Sequence, residues 1–107
     1  MMRTDIVRPI VFGLSLGFAT AALAAETITI TMDKVAFAPA AVSARVGDTL
    51  EWRNADFVAH TATARDKSFD INVLPNKIGK LVLKKAGKFD YYCRYHPTMT
   101  GTITVTE

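Results

Sequence analysis

From Glu26 to Thr106 the chain alternates polar and apolar residues in short runs, and this period of two is its strongest constraint on fold. A strand places successive side chains on opposite faces, so such alternation marks half-buried strands. Glu26 to Met32 alternates cleanly. Val42, Ala44 and Val46 alternate with Ser43 and Arg45 before the turn at Gly47-Asp48, and Thr49 to Arg53 alternates again. His60 to Ala64, Ile78 to Leu83, Phe89 to Cys93 and Gly101 to Thr106 complete the candidates, with breaks at Asn54-Ala55-Asp56, Pro75-Asn76 and Ala86-Gly87-Lys88. No stretch keeps a helical period. Several short strands punctuated by turn signals predict one all-β domain, an antiparallel β-sandwich or barrel. In Phe89 to Cys93, Phe89, Tyr91 and Cys93 share the core face, while Asp90 and Tyr92 face out. Leu50 and Trp52 share a face too and read as core.

The first residues follow other rules. Arg3 and Arg8 precede an uncharged run from Pro9 that ends in small residues up to Ala25. A basic start, an apolar middle and an Ala-x-Ala-like end describe a secretory signal peptide over 1–25, with cleavage after Ala24 or Ala25. The alternative is an uncleaved anchor, but the run is short of the roughly 20 residues of a spanning helix. The domain is then 26–107, exported to the periplasm. A domain this small has a marginal core and usually gains a disulfide or a metal. A single cysteine cannot close an internal disulfide, so Cys93 calls for another explanation. The formal net charge of +3 over the whole chain is too mild to argue for nucleic-acid binding.

Cys93-Arg94-Tyr95-His96-Pro97-Thr98-Met99 supplies that explanation. It reads Cys-x-x-His-x-x-Met at the end of one strand and before the last. A thiolate, an imidazole and a thioether thus stand in one short loop. His60, the other histidine, lies at a distant strand edge that a sandwich can bring to the same pole. Singly, Met99 reads as core filler, His60 as a satisfied polar residue and Cys93 as a buried thiol. Together they match two imidazoles and a thiolate with a long axial thioether, a blue-copper electron-transfer set. Zinc would accept the histidines and the cysteine but not the thioether, so Met99 discriminates. A Cys93–His96 nucleophile pair would need an orienting third group and an oxyanion hole, and neither is evident. An immunoglobulin reading of Trp52 and Cys93 fails for want of a second cysteine.

The loop is similar to that of the cupredoxins, and its short spacing resembles the amicyanin/plastocyanin-like members. Phe37-Ala38-Pro39-Ala40, Val46 to Asn54, His60 to Ala64 and Phe69-Asp70 resemble the same pattern in order. The resemblance implies a Greek-key β-sandwich with one copper at one pole, ligated by His60, Cys93, His96 and Met99. It implies a monomeric electron carrier rather than an enzyme, meeting transient redox partners such as a c-type cytochrome, a dehydrogenase or an oxidase. Copper delivery or storage would use identical residues. Transfer is expected through the edge of His96, framed by Phe57, Val58, Tyr95 and Pro97. Lys77, Lys80, Lys84, Lys85 and Lys88 either steer an acidic partner or form a solvated face. Thr61 stands where many relatives have Asn tying the two ligand loops, and is expected to do so only in part. Its N–H is the expected donor to the sulfur, since Pro97 has none. Arg94 and Tyr95 stand where proline is frequent in such loops, and the His60–Cys93 segment is short, which weakens any transfer of methylamine dehydrogenase as partner.

Overall fold

The computed structural model describes residues 23–107; of the signal segment expected over 1–25, residues 1–22 lie outside the described residues. Among the described residues there is no helix. Nine strands form: β1 (Thr27–Met32), β2 (Phe37–Ala38), β3 (Ala41–Arg45), β4 (Thr49–Asn54), β5 (His60–Ala64), β6 (Asp70–Val73), β7 (Ile78–Val82), β8 (Gly87–Tyr92) and β9 (Thr100–Thr106). They build two facing sheets, ordered β2-β1-β4-β7 and β3-β9-β8-β5-β6. The expected sandwich is the fold.

The sheets are mixed rather than purely antiparallel. β1 pairs with β4 in parallel, and β3 with β9 likewise. Neighbouring parallel strands need a connection that crosses over. Here β2 and β3 carry the chain from the first sheet to the second before β4 returns beside β1. Alternation reports a strand and its buried face, not the direction of its neighbour. The expected strands all form, with ends moved by a residue or two. Two more form that alternation does not show: β2 has 2 residues and β6 has 4, too few to display a period.

The core lies between the sheets. Ile30 and Met32, Leu50 and Trp52, Ala62, Val73, Tyr91, Ile103 and Val105 are all buried, each on the inward side of its strand. Its centre is aromatic. Tyr91 packs on Phe37 at 4.6 Å and edge-on to Trp52 at 5.6 Å between ring centroids. Such pairs contribute about 0.5–1.5 kcal/mol each beyond area burial. Trp52 Nε1–H donates to the Tyr91 hydroxyl at 3.3 Å, so burying these two polar atoms leaves neither unpaired. The ring fits because Gly101, its cross-strand partner, has no Cβ: one placed there would lie 2.6 Å from the Tyr91 ring. β8 is thereby held flat against β9, and its last residue delivers Cys93 to the pole.

Candidate metal centre

Three elements bring the chemistry to one pole. β5 begins with His60, the residue after β8 is Cys93, and the loop to β9 carries His96 and Met99. The loop is wound by its own backbone: His96 N–H donates to Cys93 O, Met99 N–H to His96 O, and Cys93 N–H to Met99 O. The seven residues thus close on themselves, which turns the His96 ring back over the sulfur. His60 Nδ1 lies 3.8 Å and His96 Nδ1 3.7 Å from Cys93 Sγ. The two rings are 5.1 Å apart at 65°. His60 and Cys93 are buried and His96 is half-buried. Met99 is buried at the far end of the loop, 2% exposed.

These distances suit a shared ion. A sulfur at about 2.3 Å and an imidazole nitrogen at about 2.0–2.1 Å from one first-row metal, roughly 120° apart, stand about 3.8 Å from each other. Both observed N···S separations fall there, and one donor atom from each of His60, Cys93 and His96 lies within 4.8 Å of the others. The cluster can hold a metal ion, and the two nitrogens and sulfur already stand at ligand spacing.

The surroundings prepare each donor. Burial by itself would push the Cys93 thiol up, but the Thr61 N–H, both histidines and the Tyr95 N–H favour the thiolate and bring the pKa down to about 6. The Thr61 N–H reaches Sγ at 3.3 Å, as the sequence leads one to expect. Thr61 does more than expected, because its Oγ1 also accepts the Arg94 N–H at 2.8 Å. One residue therefore ties the sulfur and the next peptide to β5, the task assigned to Asn in relatives.

Asp56 was not visible as a site residue in the sequence. Its carboxylate accepts His60 Nε2–H at 2.7 Å, the Lys34 N–H at 2.8 Å and the Val35 N–H at 3.0 Å. Burial opposes ionisation here, yet the Val35 amide, His60 and the Lys34 amide hold the carboxyl below its ordinary range. An ionised carboxylate only accepts, so Nε2 must carry the ring proton. Nδ1 is then the ring nitrogen that faces the sulfur. A carboxylate behind a ligand histidine fixes tautomer and ring orientation in metal sites generally. The clue available in sequence was Asp56 four residues before His60, but which way that loop folds is a tertiary matter. Asn54 shapes the loop: its Nδ2 donates to the Val58 and Val73 carbonyls, and its Oδ1 accepts the Asp56 N–H.

The loops framing the pole expose apolar side chains. Phe57 is 94% exposed, and Val58, Leu74, Tyr95 and Val35 are about half exposed. The lysines divide. Lys77 follows β6 at the site end, where its carbonyl accepts the Asn54 N–H. Lys80 lies 4.0 Å from Glu51. Lys84 and Lys85 follow Leu83, whose backbone pairs with Gly47 and Asp48 at the opposite pole.

A family model described as the cupredoxin-like domain matches residues 7–105. Amicyanin of Paracoccus denitrificans is 25% identical over 103 residues, covering 82% of this chain and 72% of its own. A solved amicyanin mutant in its Cu(I) form is 26% identical, with a TM-score of 0.69, over 82% of this chain and 90% of that one. A copper-containing nitrite reductase from Thermus scotoductus superposes with a TM-score of 0.71 at 26% identity, over 87% of this chain but 26% of the enzyme.

Proposed function

Since the chain belongs to the cupredoxin-like domain family, we propose that it is a periplasmic carrier passing single electrons between protein partners. Copper is the cofactor the donor set fits, and we assign His60, Cys93, His96 and Met99 as its ligands. The observation that carries this reading is the pair of 3.7 and 3.8 Å separations between ring Nδ1 atoms and one buried sulfur whose proton is already weakly held. Bound copper would supply a one-electron Cu(I)/Cu(II) couple, for which a thiolate, two imidazoles and a thioether are suited.

The chain's own contribution is to keep its donors still. Asp56 holds His60 from behind, the Thr61 amide holds the sulfur, and the loop's three backbone bonds hold His96. Donors that do not move between oxidation states need little rearrangement per electron. The half-buried His96 ring is the proposed route out, through the apolar side chains of Phe57, Val58 and Tyr95. Patches of this kind suit brief encounters with a redox partner such as a c-type cytochrome, a dehydrogenase or an oxidase. Of the lysines, Lys77 is placed to influence such encounters, whereas Lys84 and Lys85 serve the far end. Residues 1–25 are proposed as the export signal, with the carrier as residues 26–107, acting as a monomer without turnover chemistry of its own.

The test is to add Cu(II) to the purified protein. An intense visible thiolate-to-copper band is expected, absent in Cys93→Ser, together with reversible one-electron cycling that leaves the metal bound. Copper that leaves for a modest chelator during cycling would point instead to delivery or storage. Absence of the band in the wild type would refute the site.

A further inference from the structure

Thr61 and Thr63 point to the outer face of β5, where alternation would leave them wet, yet they are 0% and 7% exposed. The ligand loop and β6 cover them. Their hydroxyls touch at 2.9 Å. Thr63 Oγ1 donates to Asp70 Oδ1 at 2.7 Å, and the Arg94 N–H donates to Thr61 Oγ1. Arg94 Nε then reaches the same Asp70 oxygen at 3.1 Å. The chain of bonds leaves the Arg94 backbone, crosses two hydroxyls to Asp70, and returns through the Arg94 side chain.

Its direction is forced. The Asp70 carboxyl is held below its ordinary range, first by the Thr63 hydroxyl and then by Arg94, so it is ionised and can only accept. The Thr63 proton is committed to it. Thr61 must therefore donate its own proton to Thr63, which leaves the Thr61 oxygen a pure acceptor for the Arg94 N–H. Hydrogen bonds in series polarise one another, and the effect is larger where water is excluded. A carboxylate at the surface thus strengthens a bond on the peptide that follows Cys93.

We infer that Thr63 and Asp70 are positioning residues for the copper thiolate, acting through Thr61 and the Arg94 amide to set where the Cys93 loop sits. This rests on the proposed copper site for its consequence but not for its geometry. With Thr at 61 the side chain ends at a single hydroxyl, which needs Thr63 and Asp70 behind it to orient its lone pair; Arg94 both receives the tie and anchors its far end.

The experiment compares Thr63→Val, Thr63→Ser and Asp70→Asn with the wild type. In metal-free protein, hydrogen exchange of the Arg94 amide is followed by NMR. Thr63→Val leaves the Thr61 hydroxyl without its acceptor, which weakens the Arg94 bond and should speed that exchange by up to about tenfold, the effect of losing one bond of ordinary net strength. Asp70→Asn, at a half-exposed side chain, should speed it less, because an amide oxygen still accepts but no longer polarises. Thr63→Ser should restore the wild-type rate. In copper-loaded protein the reduction potential and the relative intensities of the thiolate-to-copper bands should shift in Thr63→Val and Asp70→Asn and return in Thr63→Ser. Exchange and potential both unchanged in Asp70→Asn would overturn the inference. So would faster exchange with an unmoved potential, since the bonds would then be structural only. If the wild type forms no copper band, the copper reading fails by itself, and the exchange measurements still decide whether the chain of bonds holds the loop.

Discussion

Asp56→Ala removes three bonds from one carboxylate, and their different settings allow a magnitude to be worked out. The two bonds from the Lys34 and Val35 amides lie at an exposed turn, where water replaces the lost oxygen. Each should cost about 0.5–1.5 kcal/mol net. His60 is different: its side chain is 0% exposed, so its Nε2–H would be left buried without a partner. That desolvation costs about 1–3 kcal/mol. The sum is a loss of about 2–6 kcal/mol, a large fraction of the stability of a domain this small. The assay is denaturant unfolding of the metal-free protein, so that metal affinity does not contribute. Asp56→Asn should fall between: its shape is kept, but its Nδ2 must face either a backbone N–H or the ring N–H. Proton NMR should show the slowly exchanging His60 Nε2–H of the wild type and its loss in Asp56→Ala. A loss below about 0.5 kcal/mol, the floor for one such bond, with the ring proton still protected, would refute the account of how His60 is held.

Three other outcomes follow from the geometry. Lys34 and Val35 form the two-residue turn between β1 and β2 with φ of 55° and 57°, a left-handed conformation that a β-branched side chain tolerates poorly. Val35→Gly should therefore stabilise the protein by about 1 kcal/mol, the relief of about 1–2 kcal/mol exceeding the entropy glycine adds to the unfolded chain; a lowered denaturation midpoint would contradict this. Gly101→Ala should cost at least about 1–3 kcal/mol by driving a methyl into the Tyr91 ring, which the packed aromatics around it cannot yield to, and thermal unfolding would expose an error if the midpoint stayed put. Cys93 has a pKa of about 6 in the folded metal-free protein against an ordinary 9.0, so the unfolded state binds the proton more tightly between those values. Stability should then rise by about 1.4 kcal/mol per pH unit across that window, be complete above pH 9.0 and be lost as pH falls through about 6; a slope identical in Cys93→Ser would show that the thiol is not its source.

Much of this molecule is legible from the order of its residues. The period of two located β1, β3, β4, β5, β7, β8 and β9, because alternation along a strand is a property of neighbours in the chain, although β5 is buried on both faces. The same alternation put Phe89, Tyr91 and Cys93 on one side of β8. Cys93, His96 and Met99 are likewise local, since their spacing alone puts a thiol, an imidazole and a thioether in one loop. The match over residues 7–105 adds that the pattern as a whole belongs to a known family.

What the sequence could not decide concerns contacts between residues far apart in it. Parallel pairing of β1 with β4 depends on where β2 and β3 travel, not on any residue in β1. Asp56 becomes the partner of His60 because the β4–β5 loop folds back against the β1–β2 turn, more than 20 residues upstream. Thr61 and Thr63 look like solvent-facing strand positions until Arg94 and Asp70 cover them. Alternation records which side of a strand is buried; only the assembled sandwich says what lies on top of the other side. The identity of the donors is therefore a property of the chain, while their tautomer, protonation and rigidity are set by what the fold packs behind them.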